Sequence, residues 1–199
     1  MSNQLPKVIR QMAMFTAGYV LFFVAYDLAH KNYEFLFYSL VIILLLVVLI
    51  NLYRRIELSN WIFVSLSAFG FLHLIGGNVR WNGTVLYRIG YFNDSIHFDN
   101  IVHTIGIFLT TLILYNLLYP FIDQRVRDRY SIFYMLLMLM AMGVGTVNEI
   151  IELIAVVSLQ AGSSVGNYLN NAFDLVFNGL GSLLGVIVIH QYQRRKVRL

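Results

Sequence analysis

The chain has 199 residues, of which 59% are hydrophobic and only 12% are charged, and its mean hydropathy is +0.71. Soluble domains carry about 25% charged residues, so this composition excludes a soluble globular protein and indicates one membrane-embedded domain over residues 1–199. The lack of cysteine excludes disulfides, thiolate catalysis and iron–sulfur sites, and the net charge of +4 resides in short segments between apolar runs, which argues against nucleic-acid binding.

Six apolar runs follow one another along the chain, and each is long enough to cross a bilayer as a helix of about 20 residues. An α-helix is required because unpaired backbone groups cannot face hydrocarbon. The sequence therefore predicts an all-α, polytopic bundle of about six transmembrane helices. Their predicted bounds are about 12–29, 33–52, 61–77, 99–119, 131–157 and 172–191.

The basic residues are distributed unequally between the two sides of the predicted bundle. Eleven of the fourteen Lys and Arg residues lie in the N-terminal segment, the second and fourth connections and the C-terminal tail, whereas Lys31, Arg80 and Arg88 lie on the opposite side. Positive residues accumulate in cytoplasmic segments. We therefore expect a multi-pass cell-membrane protein with both termini in the cytoplasm and with two long outer segments, residues 78–98 and 158–171.

Three of the predicted helices carry a pair of polar residues on one face. An ionisable residue at the centre of a span costs about 2.5–3.5 kcal/mol on insertion scales, so each such residue needs a physical reason. Residues three or four apart share a face of a helix. On the sixth predicted helix the stripe continues with Gly181 and Gly185, which predicts the close approach of another helix. The pairs are Asp99 with His103 on the fourth helix, Glu149 with Glu152 on the fifth, and Asp174 with Asn178 on the sixth.

The predicted topology brings these pairs to one level of the membrane. The fourth and sixth helices begin on the outer side, and Glu149 lies about 27 Å from the cytoplasmic start of the fifth helix. His73 on the third helix and Asp27 on the first fall at a similar depth. We therefore expect one polar cluster that opens to the extracytoplasmic side, and His97 joins it if the outer segment folds inward.

The cluster contains more carboxylates than a low-dielectric setting tolerates in ionised, unpaired form. Shared protons, Arg80 and Arg88 of the outer segment, or a bound cation would offset the repulsion. A carboxylate-rich set with one imidazole suits a divalent ion such as Mg, Mn, Zn or Fe. The same groups, close to helix ends, could instead be hydrated, capping or paired with arginine. The predicted metal ligands are Asp99, His103, Glu149, Glu152 and Asp174, with His73, His97 and Asn178 as further polar members.

The order of these motifs resembles a known group of membrane proteins. The segments Asp99-Asn-Ile-Val-His103, Asn148-Glu149-Ile-Ile-Glu152 and Asp174-Leu-Val-Phe-Asn178-Gly-Leu-Gly181 are similar to the signature of VanZ-like proteins. Leu72-His73-Leu-Ile-Gly76-Gly77 and His97-Phe98 are closer to the related YjdF-like family, and the matches together span about residues 70–190. VanZ-like proteins are linked to resistance against lipoglycopeptide antibiotics such as teicoplanin, and neither family supplies an established reaction. The chain departs from the YjdF-like pattern at Asn170, where that family usually has an aspartate, and this departure removes a carboxylate.

Three classes of function remain open at this point. A membrane enzyme acting on a lipid-linked or phosphate-bearing envelope substrate would use the ion, with Glu149 or Glu152 as general base. A binding or transport protein would use the same residues to carry protons or a cationic substrate, although the apolar inner halves of the helices argue against a continuous path. In a structural protein the polar groups would only fix helix packing. The expected partners are membrane lipids and a lipid-linked small molecule, and the sequence specifies neither an oligomeric state nor whether a reaction is catalysed.

Overall fold

A computed structural model of the chain describes residues 6–56, 60–91, 96–159 and 168–196, and these form seven α-helices, one 3-10 turn and two short β-hairpins. The all-α prediction is therefore confirmed. Six of the helices are long and correspond to the six apolar runs, whereas α5 is a single turn. The helices are α1 Lys7–His30, α2 Tyr33–Ile56, α3 Asn60–Asn78, α4 Phe98–Leu118, α5 Gln124–Arg127, α6 Tyr130–Leu159 and α7 Tyr168–Lys196.

Five of these helices, α1, α3, α4, α6 and α7, are long and apolar enough to cross a membrane. The apolar part of α2, Tyr33–Val48, is shorter than the others. The chain is therefore a helical bundle embedded in a membrane through several spans. The sixth span and the cytoplasmic position of both termini stay predictions.

Several helices extend beyond the apolar runs that predict them. α1 begins at Lys7 rather than near residue 12, and α7 covers Tyr168–Lys196 rather than 172–191. An apolar run marks the part of a helix that lies in hydrocarbon, whereas backbone hydrogen bonding continues through the polar residues at either end. The earlier start of α7 places Asn170 on that helix, one turn before Asp174.

The described helices form two compact units. Unit 1 contains α1 to α3, the hairpins up to Asp99 and the last residues of α6 from Ala155 onward. Unit 2 contains Asn100–Ile154 and α7. The organisation of the chain as one domain stays a prediction.

In unit 1, α1 packs against α3 through hydroxyl groups and a glycine. Thr16 Oγ1 and Ser67 Oγ lie 2.7 Å apart, and Tyr19 donates its hydroxyl to the Ser67 carbonyl oxygen at 3.1 Å. The same hydroxyl lies 2.7 Å from the place that a Cβ at Gly70 would take. Hydroxyl pairs and small residues of this kind hold membrane helices together, because lipid offers no alternative hydrogen-bond partner.

The segment between α3 and α4, predicted as a polar outer segment, contains the two hairpins. β1, Arg80–Trp81, pairs antiparallel with β2, Thr84–Val85. The turn residues Asn82 and Gly83 have φ angles of 48° and 83°, as in the Asn-Gly turns whose twist matches that of the strands. β3, Gly90–Tyr91, pairs antiparallel with β4, Ile96–His97. Residues 160–167 of the second predicted outer segment lie outside the described residues.

In unit 2, α7 lies against α4 along the predicted glycine stripe. A Cβ on Gly181 would stand closer than 3.0 Å to the carbonyl oxygen of Thr104, and a Cβ on Gly185 would stand 2.7 Å from Thr111 Cβ. The predicted close approach is therefore confirmed. Away from the polar pairs, buried apolar side chains of α4, α6 and α7 form a core. Its residues are Leu112, Phe133, Leu137, Val186 and Ile189.

Candidate functional site

His103 of α4 and the polar pairs of α6 and α7 lie near the same end of unit 2. His103 lies five residues after the start of α4, or about 7.5 Å along it, and Asp174 lies about 9 Å from the start of α7. Glu149 lies about 29 Å along α6, toward its C-terminal end. The late part of α6 therefore lies beside the early parts of the other two helices.

His103 is the centre of this cluster, and only 7% of its side chain is exposed. Its Nδ1 atom lies 3.2 Å from Asn178 Oδ1 and 3.4 Å from Glu149 Oε1. Its Nε2 atom lies 4.0 Å from Glu152 Oε1 and 3.9 Å from Asp174 Oδ1. Both nitrogens of one imidazole ring thus face polar groups of α6 and α7.

Asp174 is almost completely buried, and both of its carboxylate oxygens accept hydrogen bonds from amides. Asn100 Nδ2 on α4 donates to Oδ1 at 2.8 Å, and Asn170 Nδ2 on α7 donates to Oδ2 at 2.8 Å. These donors offset the hydration that a buried carboxylate loses. Asn170, where the YjdF-like pattern has an aspartate, therefore removes one carboxylate from the site. In its place, its amide supplies a hydrogen-bond donor to the Asp174 carboxylate.

The two glutamates of α6 have different surroundings. Glu152 Oε1 accepts a hydrogen bond from Asn148 Nδ2 at 2.7 Å, and 15% of its side chain is exposed. The Glu149 side chain is 10% exposed and forms an ion pair with His103 if that histidine is protonated. Glu152 is thus the more accessible of the two carboxylates.

Asn178 is fully buried on α7 and lies against a glycine of α6. A Cβ at Gly145 would stand 2.7 Å from Asn178 Nδ2, so the amide occupies the space that a side chain would need. Within the part of the chain that the structure describes, Nδ2 has no hydrogen-bond partner, whereas Oδ1 lies beside His103. Gly145 is therefore part of the site, although the sequence analysis did not identify it.

The composition and spacing of this set suit a divalent metal ion. One ligand atom each from His103, Glu149 and Glu152 lie within 4.8 Å of one another, and Asp174 approaches the same imidazole from α7. Bonds from nitrogen or oxygen to zinc are about 2.0–2.2 Å long, so two ligands of one such ion lie roughly 3–4 Å apart. The arrangement can hold a cation with mixed nitrogen and oxygen ligands. The role of each residue as a ligand stays a prediction.

Four of the predicted polar residues belong to unit 1. Asp99 lies in the first turn of α4, one turn before the histidine of that helix. His97 lies in β4, where it pairs with Gly90. Asp27 is fully buried near the end of α1. Their membership of one cluster with the unit 2 residues stays a prediction.

His73, the fourth of these residues, has its own polar partner in unit 1. Its Nδ1 atom lies 2.5 Å from the hydroxyl of Tyr87, and the rings of Phe35 and Tyr38 pack beside its imidazole. Gly77, on the same helix, leaves room for the Phe35 ring. His73 is thus held in an aromatic environment.

The amide residues that hold the carboxylates are not among the predicted metal ligands or polar members of the site. Asn148 and Asn170 each lie four residues before the acid that they contact, and this spacing is a readable signal on a helix. Asn100 reaches Asp174 across helices, and no spacing in the sequence indicates that contact. The carboxylates could thus be identified from sequence more easily than their donors.

Residues 11–195 match the family described as predicted membrane protein, DUF2238. No curated protein and no solved structure matches the chain. YjdF-like proteins belong to DUF2238, so this part of the resemblance is confirmed, whereas the likeness to VanZ-like proteins stays a prediction. The match covers almost the whole chain and every residue of the site, and the chain therefore belongs to the DUF2238 family of predicted membrane proteins.

Proposed function

We propose that this chain is a metal-dependent membrane enzyme that acts on a lipid-linked or phosphate-bearing substrate of the cell envelope. In this proposal the ion is bound by His103, Glu149, Glu152 and Asp174, and Asp99 completes the ligand set. The observation that supports it most directly is the spacing around the imidazole. His103 Nε2 lies 4.0 Å and 3.9 Å from carboxylate oxygens on two different helices, close to the separation of two ligands on one ion.

The chemistry follows from the ligand types. A divalent ion here would polarise a phosphoryl oxygen and stabilise the charge that develops when water attacks phosphorus. Glu149 or Glu152 would accept the proton of that water as general base, and the leaving oxygen would take up a proton as its bond to phosphorus breaks. Glu152 is the better candidate for contact with a substrate, because its side chain is the more exposed.

The proposal includes an orientation in the membrane. Six spans with both termini in the cytoplasm would open the site to the extracytoplasmic side, where an envelope substrate is accessible. The support is the charge distribution, since eleven of the fourteen Lys and Arg residues lie on the side of the termini. The partners in this proposal are membrane lipids and a lipid-linked small molecule.

A carrier that moves protons or cations through unit 2 has less support. A transport path needs polar groups along its length, whereas Phe133 and Leu137 of α6 and Ile189 of α7 are part of a buried apolar core beyond the polar pairs. The acidic residues of the site and His103 thus lie at one end of unit 2, beyond this apolar core, as a site that is entered and left from one side requires.

Metal binding is the first test of the proposal. Protein purified in detergent, stripped with a chelator and loaded with Mn²⁺ or Zn²⁺ should retain about one ion per chain after desalting, as measured by mass spectrometry. His103→Gln and Glu152→Gln should lower the affinity for the ion by about tenfold or more, because changes to groups around a metal site commonly have effects of this size. Asp128→Asn is the control, because it removes an exposed carboxylate just before α6, at the other end of that helix from Glu149, and it should retain the ion. Absence of retention in the unaltered protein, or equal retention in all variants, would refute the metal site.

Catalysis is the second test. Vesicles that contain a polyprenyl diphosphate should release inorganic phosphate when the loaded protein is added, and Glu152→Gln should abolish the release. Ion binding without phosphate release, combined with uptake driven by a pH gradient, would favour the carrier. If the variants unfold at lower temperature and the protein shows neither activity, the polar groups serve packing alone.

A further inference from the structure

Two oxygen atoms flank one nitrogen of the site histidine. Asn178 Oδ1 lies 3.2 Å from His103 Nδ1, and Glu149 Oε1 lies 3.4 Å from the same atom. An amide oxygen and an ionised carboxylate can only accept hydrogen bonds. His103 Nδ1 must therefore carry a hydrogen, which it donates to Asn178 Oδ1, while the Glu149 oxygen lies beside it.

The hydrogen on one nitrogen determines what the other can do. In a neutral imidazole, one nitrogen is a donor and the other carries a lone pair. With Nδ1 protonated, the lone pair of His103 lies on Nε2, which faces Glu152 and Asp174 at 4.0 Å and 3.9 Å. Metal-binding histidines use this arrangement, in which a hydrogen bond on the far nitrogen fixes the tautomer and orients the ring.

The orientation of the Asn178 amide is maintained although it leaves a donor unpaired. Nδ2 is buried without a hydrogen-bond partner among the described residues, which is unfavourable for a polar group. Turning the amide over would place the donor Nδ2 against His103 Nδ1 and bring the ring lone pair to the side of Glu149 Oε1, which at 3.4 Å is nearer to the ring than the carboxylate oxygens at Nε2. Gly145 leaves the space that the amide occupies, because a Cβ there would stand 2.7 Å from Nδ2.

We propose that Asn178 is a positioning residue that fixes the Nδ1–H tautomer of His103 and thereby selects the ion that the site binds. A ring whose Nε2 lone pair points at two carboxylates favours ions that accept imidazole, such as Mn²⁺, Fe²⁺ or Zn²⁺, over Mg²⁺ and Ca²⁺, which prefer oxygen. The choice of ion rests on the proposed function, whereas the tautomer is a property of the protein alone.

The tautomer can be measured without any metal. In protein labelled with ¹⁵N in its histidine rings, nitrogen shifts distinguish a protonated from an unprotonated ring nitrogen, and the His103 signals are those lost in His103→Gln. We expect His103 in the unaltered protein to be protonated at Nδ1 only. Asn178→Leu removes the nearer acceptor, leaves only the Glu149 oxygen beside Nδ1, and should give a mixture of tautomers. A His103 protonated at Nε2 in the unaltered protein, or an Nδ1–H form that persists in Asn178→Leu, would overturn the proposal.

A second pair of variants leaves every polar side chain of the site in place. Gly145→Ala puts a methyl group 2.7 Å from Asn178 Nδ2 and should displace the amide, whereas a Cβ at Gly143 meets nothing within 4 Å. Gly145→Ala should therefore change the His103 tautomer, and Gly143→Ala, with the same chemical change two residues earlier on α6, should not. This pair decides the question if Asn178→Leu does not fold, and identical spectra for the two alanine variants would contradict the proposal.

The choice of ion is tested by competition between metals. Asn178→Leu should lower the affinity for Zn²⁺ and Mn²⁺ by about 10–100-fold, as expected for the loss of a partner that orients a ligand. Its affinity for Mg²⁺ should change much less, and an equal loss for all ions would contradict selection through His103. If the unaltered protein binds no ion, the proposed function fails while the tautomer measurement still stands.

Discussion

Replacement of Gly181 by alanine tests the contact that holds α7 against α4. A Cβ at this position would stand closer than 3.0 Å to the Thr104 carbonyl oxygen and 3.1 Å from the Phe108 backbone nitrogen, whereas ordinary contacts begin at 3.4 Å. Both atoms belong to the backbone of α4, so neither can rotate away. The two helices must therefore separate by several tenths of an ångström or more.

The free-energy cost of this overpacking can be separated from other effects of the substitution by a control variant on the same helix. Overpacking of this kind costs about 1–3 kcal/mol. Alanine also stabilises a helix by about 0.8–1.0 kcal/mol relative to glycine, which partly hides this cost. Gly179→Ala has the same gain in helix propensity without the clash, because the atom nearest to a Cβ at Gly179 would be Met142 Cε at 3.7 Å. The difference between the two variants should therefore be about 1–3 kcal/mol.

Thermal unfolding of both variants in the same detergent measures this difference. In a chain of this length, 1 kcal/mol corresponds to about 2–4 °C in Tm. Gly181→Ala should therefore unfold roughly 2–12 °C below Gly179→Ala. Equal midpoints would mean that α4 does not lie against Gly181. The placement of Asp174 and Asn178, which are on the same helix as Gly181, beside His103 of α4 would then lose its support.

Further predictions concern a buried acid, an amide donor and the orientation in the membrane. Asp27→Asn should leave Tm unchanged or raise it, because the carboxylate oxygens of this buried residue have no hydrogen-bond partner among the described residues; a loss of about 3–5 kcal/mol, typical of a broken buried ion pair, would contradict this. Asn100→Ala removes one of the two amide donors of Asp174 and should lower the free energy of unfolding by about 1–3 kcal/mol, as measured by thermal unfolding. Because the chain has no cysteine, a single Asn82→Cys should react with a membrane-impermeant maleimide in intact cells, whereas Asp128→Cys should react only after permeabilisation, and the opposite pattern would reverse the proposed orientation.

The long helices could be predicted from the sequence because hydrocarbon leaves the backbone few alternatives. Their ends could not, since α1 and α7 continue through polar residues that an apolar run does not include. The first hairpin was predictable in principle, because Asn82-Gly83 between short extended segments is a strong local turn signal. In a membrane protein that signal is easily taken as part of an irregular connection.

The charged members of the site could be identified because each is costly within a span. The spacing of Glu149 and Glu152 fixed their common face, and the predicted topology placed them near His103, as the contacts in unit 2 now have them. Neutral residues carry no such signal. Asn100 and Gly145 contribute through contacts between helices, and these depend on how α4, α6 and α7 rotate and approach, which one sequence does not specify.

The two amides that donate to Asp174 affect whether this part of the chain needs a metal ion in order to fold. A buried aspartate whose two oxygens are already bonded to Asn100 and Asn170 does not depend on a cation to tolerate burial. In the proposed enzyme, this part of the chain could therefore fold before the ion binds. The supply of metal outside the cytoplasm, rather than the timing of synthesis, would then determine how many copies of that enzyme are active.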